Sequence, residues 1–128
     1  MRTVSCTVEK DEKYEICAKA VCCGPDVNIS ICGGTHHHIG AVAIAFGCMP
    51  DGSAPKYSPP VSSIACLNHK DDQVARMAAV QIAAALDTTV TVTAGIHIDD
   101  AAPEELDILL GNTQTCVNEL IRLLRTPE

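Results

Sequence analysis

The apolar residues of this chain keep a period of two through its first half and change to a helical period after residue 68, and that switch bounds the fold. Thr3–Val8 alternates Val4, Cys6 and Val8 with polar residues, the pattern of a strand with one buried face. After a turn at Lys10-Asp11, residues 12–22 continue with Tyr14, Ile16, Ala18, Ala20 and Cys22 on one face. Gly24-Pro25-Asp26 reads as the next turn, and Val27, Ile29 and Ile31 alternate beyond it. Residues 39–46 are continuously apolar, which predicts a central strand covered on both faces. Residues 47–60, rich in Gly and Pro, are expected to be a long exposed loop, of a length more common in functional lids than in plain connectors. A fifth strand is expected over 61–67.

From residue 68 onward Val74, Met77, Ala78, Ile82 and Leu86 make one helical stripe, and six alanines in that stretch allow close approach to a sheet. Asn68 with Asp71 resembles a capping box, and Asp72 suits the positive end of the helix dipole. Residues 88–93 return to strand alternation. Pro103 opens a short helix with Glu104 and Glu105 in its first turn. Gly111-Asn112 is expected to break it, and a last helix is expected over 113–124, burying Cys116, Val117, Leu120, Ile121 and Leu124. Strands first and helices after, without repeat or linker, predict a single α+β domain over residues 1–128. Its expected form is a two-layer sandwich, a mostly antiparallel sheet with helices packed on one face.

Composition then removes whole classes of function. The chain has 128 residues, 47% of them apolar, with no Trp, one Phe and two Tyr, so its core must come from Ala, Val, Ile, Leu and Cys. A formal charge of −7 argues against nucleic acid, which needs clustered Lys and Arg. No apolar run reaches the roughly 18 residues of a membrane span, and Met1-Arg2-Thr3-Val4 has no signal-peptide architecture. A cytoplasmic protein is expected. The eight cysteines then read as free thiols: Cys6, Cys17, Cys32 and Cys66 follow strand periodicity, and C-x-x-C spacing is absent. A small sheet with so few aromatics has limited means of covering both faces, which predicts a homo-oligomer.

Two segments carry the candidate chemistry. Gly33-Gly34-Thr35-His36-His37-His38-Ile39-Gly40 packs three of the five histidines between glycines and an apolar run, and Gly95-Ile96-His97-Ile98-Asp99-Asp100 places a fourth beside carboxylates. Residues two apart in an extended segment share a face, so His36 with His38, or His97 with Asp99, has the spacing to chelate Zn²⁺, Mn²⁺ or Fe²⁺. Strand neighbours running antiparallel would bring His38, at the start of one, beside His97 and Asp99, at the end of the other. A polar turn and a hydrogen-bonded strand-end histidine explain the same residues without a ligand. The Gly33-Gly34 amides suit an anion, but the loop leads into a strand and matches no phosphate motif. His69, beside Lys70 and Asp71, reads as surface. No G-x-S-x-G supports a serine nucleophile.

The pattern Gly33-Gly34-x-x-x-His38-Ile39-Gly40-Ala41-Val42-Ala43, then His69-Lys70-Asp71-Asp72, then Thr93-Ala94-Gly95-Ile96-His97-Ile98-Asp99, with Pro103-Glu104-Glu105-Leu106 behind it, resembles the small D subunit of gallate decarboxylase systems, the prenylated-flavin chaperone (LpdD-like) family. Members of that family show Pro-His-Ile-Gly where this chain has His37-His38-Ile39-Gly40, so only His38 carries over. The resemblance implies a non-catalytic accessory protein that binds reduced prenylated FMN and passes it from a flavin prenyltransferase to a UbiD-like aromatic-acid decarboxylase. On that reading Gly33, Gly34, His38, Gly40, Lys70, His97 and Asp99 are the cofactor-binding candidates. The phosphate belongs at the Gly33-Gly34 turn or near Lys70, while the 39–46 strand and the Pro-rich loop cover the ring. His38, His97 and Asp99 would bind polar ring edges or a divalent metal bridging the phosphate. The charge of −7 requires any positive potential to be local. The alternative is a small metal-dependent hydrolase or lyase built on His38, His97 and Asp99.

Overall fold

The computed structural model describes residues 1–47, 61–65 and 69–127, with the backbone alone for 61–65 and His69. The 48–60 lid segment, Cys48, Tyr57, Cys66 and the expected Asn68 cap lie outside the described residues.

Among the described residues, six strands and two helices follow in the order β1 (Thr3–Val8), β2 (Ile16–Cys23), β3 (Asp26–Gly34), β4 (Ala41–Phe46), β5 (Val61–Ala65), α1 (His69–Leu86), β6 (Thr89–His97) and α2 (Pro103–Arg125). They form one six-stranded sheet in the order β1-β2-β3-β6-β4-β5. Only the β3–β6 seam is parallel; the other four are antiparallel. Thus β6 inserts between β3 and β4, pairing Val27 with Val90 on one side and Ala45 with Val90 on the other.

Both helices pack on the same face, α1 over β4, β5 and β6 and α2 over β1 and β2. This is the expected α+β sandwich. Of the α1 stripe, Val74, Ala78 and Ile82 are buried and Met77 and Leu86 partly so; Ala75, Ala79 and Ala83 are buried beside them, and these small side chains let the helix sit close to β4 and β6.

Three local expectations need correction. The second strand begins at Ile16, because residues 9–15 form turns in which Glu9 and Asp11 take left-handed φ of 55° and 64°. A run of charged residues from Glu9 to Lys13 favours that solvated excursion over a ladder. Among the described residues the 39–46 run is covered on one face only. Ala41, Ala43 and Ala45 are buried under α1, whereas Val42 and Ile44 are half-buried and Phe46 is 39% exposed. Finally, α2 is one continuous helix across Gly111-Asn112. Leu109, Thr113, Cys116, Val117 and Leu120 form one buried stripe through that point, and the Asn112 side chain donates to the Tyr14 carbonyl at 2.8 Å. Gly111 faces open space, so its cost is the roughly 1 kcal/mol of its helix propensity, less than the packing on either side returns.

Candidate functional site

The link from β3 to β4, residues 35–40, crosses the end of β6 and is fastened at three points. The Gly34 amide donates to the Glu15 carbonyl at 2.9 Å, Thr35 to the His97 carbonyl at 2.9 Å, and Gly40 to the Ala94 carbonyl at 2.8 Å. Gly34 makes the turn possible with a φ of 73°, a region side chains disfavour.

So held, three consecutive histidines fan out to three different carboxylates. His36 Nε2 lies 3.5 Å from Asp99, His37 Nε2 lies 3.6 Å from Glu15, and His38 Nε2 lies 3.0 Å from Asp71. His97 pairs with Asp99 at 2.8 Å. The His38 and His97 rings approach edge to face with centroids 6.3 Å apart, and His36 lies 5.6 Å from His97. The antiparallel β4–β6 pairing produces this meeting of His38 with His97.

Asp71 is the residue the sequence reading assigns to the helix cap, and its place is different. Only 1% exposed, it turns into the protein, where one oxygen accepts the Ile96 amide at 3.0 Å and the other faces His38. Gly40 exists for this carboxylate: a Cβ there would run into Asp71. The signal was the His38…Asp71 co-occurrence within the motif set, but an acidic residue in a first helical turn reads equally well as a cap.

Asp99 is solvent-exposed, and the hydrogen bond from His97 holds its carboxyl below the usual range. With His38 committed to Asp71 and His97 to Asp99, the imidazoles already have carboxylate partners. Among the described residues, three potential metal-ligand atoms lie within 4.8 Å of one another only at Glu15, Cys17 and His37. The Gly34 and Thr35 amides are spent on protein carbonyls, and Gly33 is buried between Ile16 and Ile96 in the ladder.

A cavity of about 500 Å³ opens between the start of α1, the end of β6 and the first half of α2. Val74, Ile96, Ile98, Leu106, Leu109 and Leu110 give it apolar walls, and Lys70, Asp71 and His97 line it as well. Its α2 wall was not anticipated, because Leu106 and Leu110 look like ordinary core positions in a short helix. Lys70 and His97, expected at one site, do share it. The six described cysteines are all free thiols; burial pushes Cys17 and, more strongly, Cys116 above their usual range. No helix among the described residues is long and apolar enough to cross a membrane.

The family model described as the prenylated flavin chaperone LpdD-like domain matches residues 10–125. No curated protein sequence matches the chain. In fold it is similar to a chain from the crystal structure of a novel chaperone complex for yeast 20S proteasome assembly, with a TM-score of 0.61 and 15% identity over 97% of this chain and 94% of that one. At that identity the likeness concerns the fold alone.

Proposed function

We propose that this chain, which belongs to the prenylated flavin chaperone LpdD-like family, holds reduced prenylated FMN and hands it from a flavin prenyltransferase to a UbiD-like aromatic-acid decarboxylase in the cytoplasm, without turnover of its own. The observation that carries the reading is the cavity of about 500 Å³ whose walls are mostly aliphatic and whose lining includes both Lys70 and His97. Its volume suits a small-molecule site, and a few polar groups on an apolar wall are what such sites use for orientation. The aliphatic walls suit the prenyl-derived part of the cofactor, and Lys70 in the first turn of α1 is the lining cation available to a phosphate, in a cavity that Asp71, Asp100 and Asp107 also line. His97, oriented by Asp99, then faces a polar ring edge, with His38 held behind it by Asp71.

Anaerobic titration of the purified chain with prenylated FMN, followed by native mass spectrometry, tests this. One flavin per chain is expected, and Leu110→Asp should abolish it. His97→Ala should weaken binding at least tenfold with the denaturation midpoint nearly unchanged. Lost stability with retained affinity would make His97 a structural histidine. Flavin-loaded chain should also activate cofactor-free decarboxylase, and a failure to bind any flavin would sink the reading.

The uncovered sheet face supports a homo-oligomer. Along β4, Phe46 is 39% exposed on the same side as the half-buried Val42 and Ile44, exposed apolar surface of the kind that marks interfaces. Light scattering should give a multiple of the 13.5 kDa chain mass.

A further inference from the structure

We propose that Glu15, Cys17 and His37 form a zinc site on the open face of the sheet, separate from the cavity. One ligand atom from each lies within 4.8 Å of the other two; the His37 ring lies between its neighbours, its Nε2 3.6 Å from the Glu15 carboxylate and its Nδ1 4.0 Å from the Cys17 sulfur, and one of the two nitrogens takes the metal. Zinc bonds of about 2.0–2.3 Å bring ligands in a tetrahedral site to somewhat shorter separations than these, a closure that side-chain rotation supplies.

The backbone sets the group in place. Glu15 and Cys17 flank Ile16, the first residue of β2. The Gly34 amide that fastens the histidine loop donates to the carbonyl of Glu15 itself, so His37 is tied to the residue whose carboxylate it faces. The other Glu15 oxygen accepts the Asp11 amide at 3.1 Å, the kind of outer contact that orients a ligating carboxylate. A shallow depression beside Cys17 and His37, floored by Ser30 and Cys32, leaves room for an ion and solvent.

Thiolate, imidazole and carboxylate together select zinc over the hard cations, which take oxygen alone. Three protein ligands leave the fourth position to water. The Cys17 thiol releases its proton to solvent as the metal–sulfur bond forms.

The test titrates the reduced, metal-free protein with Co²⁺ as a spectroscopic probe. A thiolate-to-cobalt charge-transfer band is expected to saturate at one equivalent and to be bleached by one equivalent of Zn²⁺. Cys17→Ser and His37→Ala should each weaken Zn²⁺ binding at least tenfold with an unchanged far-ultraviolet circular dichroism spectrum. Because His37 is an exposed loop residue, its variant decides the matter even if Cys17→Ser fails to fold. Absence of the band overturns the site, as does a band that survives His37→Ala, which would place the ion on other thiols such as the Cys17 and Cys32 pair.

Discussion

Two imidazole–carboxylate pairs of nearly equal length sit at the end of β6. His38 meets Asp71 at 3.0 Å and His97 meets Asp99 at 2.8 Å. Asp71 is 1% exposed and Asp99 76%. In the first pair the carboxylate has left water, and among the described residues His38 and the Ile96 amide compensate it. In the second, water stands in for either partner at little cost, so the pair is free to orient a histidine toward a ligand. The same two side-chain types thus serve the fold in one place and, on the function proposed above, a binding surface in the other, and burial separates the two.

The sharpest way to break that contrast is Asp71→Ala. Removing it strands the part-buried Ile96 amide and leaves the His38 ring without its partner, and urea denaturation should show a loss of about 3 kcal/mol. A loss below about 1 kcal/mol would mean that Asp71 is no more structural than Asp99. Gly40→Ala should move stability the same way by less, about 1–3 kcal/mol, because its methyl group displaces the Asp71 carboxylate rather than deleting it.

Glu105 offers a third carboxylate with ties of its own. The Lys13 ammonium, the Ala102 amide and the Tyr14 hydroxyl hold its carboxyl down at about 2, against an ordinary 4.5. A value lowered on folding means the ionised form favours the folded chain. The gap in thermal midpoint between wild type and Glu105→Gln should therefore be full above pH 4.5 and close as the pH falls toward 2. Smallest of all is Asp99→Asn, expected to leave the midpoint in place while flavin affinity falls a few-fold. A clear drop in midpoint would erase the distinction between the pairs.

Much of this was legible in the sequence. The alternation at Val27, Ile29 and Ile31 and the stripe at Val74, Ala78 and Ile82 reported faces that are buried. The meeting of His38 with His97 followed from two strands imagined antiparallel. What stayed hidden depended on partners far away in the chain. Asp71 points inward only because Gly40 leaves a space there. The helix runs through Gly111 because one buried stripe, from Leu109 through Thr113 and Cys116 to Leu120, continues across it. The 39–46 run looked doubly covered because hydrophobicity along a strand does not say how many layers exist.

The insertion of β6 has a consequence for how the chain must be made. β3 and β4 never pair with each other; each pairs with β6, which follows α1 in the sequence. Until residues 89–97 have left the ribosome, the meander of β1 to β3 and the β4–β5 hairpin are two fragments with open edges and no seam between them. Such edges template pairing with other chains, and closing them waits on contacts more than 60 residues apart, such as Val27 with Val90, which slows folding. The nascent protein is therefore most vulnerable just before its central strand emerges, and synthesis order, as much as sequence, sets its risk of aggregation.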